Sequence, residues 1–198
     1  MNRADRMPTR VQLPHTGLQM PHRKLHVARC RNHWAKGWEY RALLVLGEQH
    51  VGQVRGRALS GPGHSSIATG EDLVVSFHPR GEAFTDEDLT LFSAGCLLDG
   101  RPVTPGRVLA LLVEEHQVDQ MVRGCARRGG AMARVAQDGL IHYIPLRTCP
   151  RTPQQRAIAL AHLQRASGVR GPWLIWARDH WQLLAAPISR AAPLPGPP

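Results

Sequence analysis

Residues 104–137 read TPGRVLALLVEEHQVDQMVRGCARRGGAMARVAQ. Thr104 before Pro105 places a capping hydroxyl ahead of a proline at the first helical position. That predicts a helix through Glu115, with Val108, Leu111 and Leu112 on one side. After the turn expected at His116-Gln117, apolar or small residues stand at 118, 122, 125, 129, 132 and 136. This is the spacing of a buried helical stripe, so a second helix is expected from Val118 to about Gln137. On that helix Arg123, Arg127 and Arg134 would lie within about 40° of one another, with Arg128 at the flank. With the strand expected at 140–146, the stretch reads as helix-turn-helix followed by a wing strand. In that geometry the second helix enters a DNA major groove. Two alternatives stand beside it. Gly124 and Gly129-Gly130 each cost a helix about 1 kcal/mol relative to Ala, which allows two short helices hinged at the Gly pair. A solvated basic helix without a ligand would show the same arginine row.

Upstream the signals are β-like. Tyr40 to Leu46, a Gly47-Glu48-Gln49 turn and His50 to Arg57 read as a hairpin, and Asp72 to His78 as a further strand. Pro21 to Gly37 fits either a helix, from its terminal Pro and Gly, or a strand through Leu25-His26-Val27-Ala28. Thr85 with Asp88 resembles a capping box opening a helix through Leu98. Downstream of the quoted stretch, Thr152-Pro153 opens a helix that ends at Gly168. Trp173–Trp176 and Trp181–Leu184 then flank Arg178-Asp179 as a hairpin, and a short helix beginning at Pro172 fits almost as well. The fold class expected is α+β, an N-terminal β-rich part packed on a C-terminal helical part. The organisation expected is an irregular basic segment 1–20, a β-rich basic part 21–80, a helical part with strands 85–186 and a Pro-rich tail 187–198.

The chain has 198 residues, 25 Lys+Arg and 15 Asp+Glu, a formal net charge of +10. The charge is segregated: net +7 over 1–41, +1 over 42–66, −7 over 67–119 and +9 over 120–198. Two basic segments forming one face would suit a polyanion. Only Lys24 and Lys36 are lysines; a coding bias explains the excess of Arg over Lys but not the net charge. With no run of about 18 apolar residues, no membrane span or membrane partner is expected. Met1–Gln19 lacks an apolar core, so no signal peptide and a cytoplasmic location are expected. Cys30, Cys96, Cys125 and Cys149 are scattered, so reduced thiols are expected.

Three other groups of residues could carry chemistry. His22, His26, Cys30 and His33 are zinc-competent and would share one helical face. One helix cannot wrap four ligands round an ion, and no second motif completes the set. They fit better in a basic surface with Arg23, Lys24, Arg29, Arg31 and Lys36, where Trp34 and Trp38 could stack on unpaired bases, although anchoring the core is the commoner role for a Trp. A metal-free nuclease would need His as general base, with His142, Tyr143 and Arg147, or His162 or His180, as candidates. Gly61-Pro62-Gly63-His64-Ser65-Ser66 lacks the Lys-Ser/Thr ending of a phosphate loop and reads as an ordinary loop.

The leading expectation is a non-enzymatic DNA- or RNA-binding protein without cofactor or metal. Arg123, Arg127, Arg128 and Arg134 would grip phosphates, helped by Arg23, Lys24, Arg29, Arg31 and Lys36. Other protein subunits of a nucleoprotein assembly fit the same pattern. The alternatives are a histidine-dependent endonuclease and a protein–protein adaptor with charged faces.

Overall fold

A computed structural model describes residues 10–33, 38–58, 66–67, 73–137 and 140–184. In chain order the elements begin with β1 (Val11–Gln12), β2 (Gln19–Met20), β3 (Leu25–His33), β4 (Trp38–Leu46), β5 (Gln49–Ala58), β6 (Ser66–Ile67) and β7 (Leu73–Pro79). They continue with α1 (Asp86–Ala94), β8 (Leu97–Leu98), β9 (Arg101–Pro102), α2 (Pro105–Arg127), β10 (Ala131–Gln137) and β11 (Leu140–Leu146). The last are α3 (Pro153–Ser167), β12 (Leu174–Ala177) and β13 (His180–Leu183). The mixed α+β content matches the sequence. The tail 187–198, Lys36, Trp34 and Gly61–Ser65 lie outside the described residues.

The expected hairpin forms. Gly47 takes φ +65, the left-handed conformation that a tight turn between β4 and β5 requires. β3, β4, β5 and β7 make an antiparallel sheet in that order. Bulges shift the register between Val27 and Arg29 and between Leu44 and Val45. Within the ambiguous 21–37 stretch, Leu25–His33 forms the strand alternative, β3. His22, His26, Cys30 and His33 therefore share no helical face, and no group of metal-binding side chains forms among the described residues.

The largest departure is in the stretch quoted first. α2 runs unbroken through His116 and Gln117, so the helix-turn-helix does not form. Nothing at 116–117 stops a helix, whereas Gly129 at φ +74 does. A Cβ on Gly130 would collide with the Leu146 carbonyl oxygen, so glycine lets β10 start hard against β11. Residues 131–137 are thus a strand, not a helix. The helical spacing carries over because Met132 and Ala136 are four apart, a step that also returns to one face of a strand; Ala131, Ala133 and Val135 pack with Leu163 of α3, and Met132 packs with Val118, Val122 and Cys125 of α2. Smaller differences follow the same logic. α1 stops at Gly95 instead of reaching Leu98, and the N-terminal stretch expected to be irregular contributes β1 and β2.

α2 is the spine of the molecule. Every residue from Val108 to Glu114 is buried, the pattern of a helix enclosed on all sides. Val108, Leu109, Leu111, Leu112 and Val113 fill the core beneath β3, β4 and β5 with Leu44, Val51 and Val54. Further along, Val118 and Val122 pack under the second sheet, ordered β13-β12-β10-β11-β6. Truncating Leu109 or Leu111 to Ala should cost about 3 kcal/mol, the usual loss for a fully packed leucine. Thr104 and Thr152 cap α2 and α3 as the sequence indicates. No helix among the described residues is long and apolar enough to cross a membrane.

Candidate nucleic-acid interface

A β-strand sends alternate side chains to opposite faces. On β4, Ala42 and Leu44 are buried, so Arg41 and Leu43 turn outward. On β5, Val54 is buried, which turns Gln53 and Arg55 outward. On β3, Leu25 and Val27 are buried and Cys30 packs against the core, leaving Arg29 and Arg31 exposed beyond the bulge.

The register then aligns these residues into rows running across the strands. Arg31 lies opposite Arg41, Arg41 opposite Arg55, and Arg55 opposite Ser76 of β7. The adjacent row is Arg29, Leu43, Gln53 and His78. With strands roughly 4.8 Å apart, the three arginines of the first row span about 10 Å, and the second row lies about 7 Å away. Arg29, Arg31, Arg41, Ala42, Leu43 and Gln53 line a shallow depression of about 350 Å³.

Like charges placed directly opposite in a sheet repel. All four arginines are exposed, and among the described residues no carboxylate pairs with any of them. Glu39 stands on the same strand face, two residues from Arg41, between His33 and Arg57 in register. An arginine keeps its charge at any working pH and presents a fork that matches phosphate.

The other residues named from sequence do not converge here. Arg23 donates from Nη2 to the Gln12 carbonyl oxygen at 3.1 Å, and Lys24 is exposed at the start of β3. Arg123 pairs with Asp119 one helical turn back at 2.9 Å. Arg127 and Arg128 are exposed at the C-terminal end of α2, where the negative end of the helix dipole favours cations.

Arg134 is a correction to the expected cationic row, because it sits on β10 and not on α2. Ala133 and Val135 face α3, so alternation turns Arg134 toward α2. Its Nη1 donates to the His15 carbonyl oxygen at 2.6 Å, and its guanidinium lies 4.3 Å from the Trp181 ring centre. Around it is a buried polar cluster that the sequence reading missed. The Tyr143 hydroxyl donates to Glu114 Oε1 at 3.3 Å. Burial pushes the Glu114 carboxyl up to about 7, against the pull of Arg107, Tyr143 and Arg134. Glu115 accepts the backbone N–H groups of His15 and Thr16 at 3.0 and 2.8 Å, pinning the 13–18 turn to α2. Burial lowers His15 to about 4, opposed by Asp119, whose Oδ1 lies 3.9 Å from His15 Nε2. The Trp176 ring stands 4.3 Å from the His15 ring.

The proposed nuclease set is not brought together either. Tyr143 faces α2 while its neighbour His142 faces the opposite side of β11, and Arg147 is exposed beyond the strand. His162 is exposed on α3, and His180 bonds Asp179 at 2.7 Å. No family model, curated protein or solved structure matches the chain.

Proposed function

We propose that this protein binds nucleic acid through the outer face of the β3–β4–β5 sheet, holding phosphates with Arg31, Arg41 and Arg55, with Arg29 beside them. One observation carries this reading: three exposed arginines stand side by side across three strands with no acidic partner among the described residues. Such a row raises the energy of the empty protein, and a bound polyanion relieves it. The net charge of +10 adds long-range attraction. Phosphate contacts supply affinity and position rather than sequence choice.

The test is a binding titration with labelled DNA and RNA over a range of salt. Parent protein should bind at low salt and weaken steeply as salt rises, because each phosphate contact releases counterions. Arg41→Glu with Arg55→Glu should abolish binding while leaving the fold intact. Equal binding by parent and double variant would remove this face from the function.

A further inference from the structure

Resting on that reading, the geometry points to a single, unpaired strand as the ligand. It would lie across the β-strands with its phosphates along Arg31–Arg41–Arg55 and its bases over Leu43, Gln53 and His78. The two rows differ in chemistry. The first is cationic across three consecutive strands. The second offers half-buried Leu43 as an apolar surface and Gln53 as a hydrogen-bonding amide. It ends at exposed His78, which shares a 3.2 Å hydrogen bond with Ser76. Arg29 closes this second row at the β3 edge, where a guanidinium plane can stack on a base.

The flanks fix the direction. Glu39 lies on the far side of the cationic row, opposite Arg57 in register, so that flank sets one acid against one base and does not extend the line of three arginines. On the near side stand an apolar side chain and an amide. A duplex presents two phosphate lines on either side of a groove about 6 to 12 Å wide. Among the described residues this face has one line of three arginines, with Leu43 and Gln53 beside it, and this single line matches one phosphate backbone better than two. Paired bases also hide the edges and faces that Leu43 and Gln53 would meet, whereas unpaired bases expose them.

The experiment compares three probes on the intact chain: an oligothymidylate, a duplex of equal length and inorganic polyphosphate. The oligothymidylate should bind about tenfold or more tighter than the duplex. Its salt slope should be about 2, as roughly 0.7 per contact gives for three phosphates of a single strand. Leu43→Ala with Gln53→Ala should weaken oligothymidylate about tenfold, the loss of one ordinary base contact, and leave polyphosphate affinity unchanged. Gln53→Ala alone should move in the same direction, and unchanged polyphosphate binding reports that each variant is folded. Arg41→Ala should weaken both probes. Duplex binding as tight as the single strand, or a double variant that leaves oligothymidylate unaffected, overturns the single-strand assignment while phosphate binding stands. Failure of all three probes to bind overturns the proposed function itself.

Discussion

Arg41 and Arg134 are the same side chain in opposite settings. Arg41 stands exposed on an open sheet, flanked in register by Arg31 and Arg55, with no carboxylate partner among the described residues. Arg134 is half-buried between α2 and the second sheet, bonded to the His15 carbonyl and stacked over Trp181. The first arrangement weakens the empty protein slightly and suits a ligand that is not part of the chain. The second satisfies groups that the fold itself has buried. A count of arginines cannot separate these roles; the partners around each guanidinium do.

The comparison breaks most visibly in stability. Arg134→Ala should destabilise by about 3 kcal/mol, because it strips the His15 carbonyl and the Glu114–Tyr143 pair of a buried neighbour. Urea unfolding measures this, and a change below about 0.5 kcal/mol, the usual size for a surface site, would show that the cluster does not hold the fold.

The pH dependence of stability sharpens the picture of the cluster. The Glu114 carboxyl, near 7, lies above its ordinary 4.5. Folding therefore favours its protonated form. The stability this gives is complete below about 4.5 and is lost as pH rises through about 7, roughly 3 kcal/mol in all. His15, near 4, lies below its ordinary 6.5, so its contribution is present above 6.5 and is lost as pH falls toward 4. The two oppose each other over the shared range. Glu114→Gln removes the first and leaves the second. The variant should therefore lose stability on acidification more steeply than the parent, and gain on it near neutral pH. Parallel pH profiles from urea unfolding would contradict this assignment.

The smallest effect belongs to the open face. Arg41→Ala or Arg55→Ala should change stability by no more than about 0.5 kcal/mol. At low salt the sign should favour the variant, because a like-charge neighbour has gone. A marked loss of thermal stability would mean that these arginines serve the fold as Arg134 does.

Some of this arrangement is readable from local sequence. Gly47 between two alternating runs marks the β4–β5 hairpin, and the two Thr-Pro pairs mark the starts of α2 and α3, because each signal acts within a few residues. Arg29 and Arg31 are nameable from their segment alone. Arg41 is not, because its partner depends on the bulge between Leu44 and Val45. Without that one-residue shift the hairpin would set Arg41 opposite buried Val54 instead of Arg55. Arg134 misleads for a different reason: Met132 and Ala136 keep the four-residue step of the α2 stripe across the stop at Gly129, and a step of four also returns to one face of a strand. The cluster joins Glu114 to Tyr143, 29 residues apart, and His15 to Glu115 and Arg134, 100 and 119 residues apart, and no local pattern in the chain announces such contacts.

The central claim is that the exposed arginine row, and not the α2 arginines or Arg134, holds phosphate. The most direct measurement is the salt dependence of single-strand affinity for parent protein and for the triple variant Arg31→Ala, Arg41→Ala, Arg55→Ala. The slope should fall by about 2, close to 0.7 for each arginine removed, with unfolding behaviour unchanged. A triple variant that keeps both the parent affinity and the parent slope would contradict it.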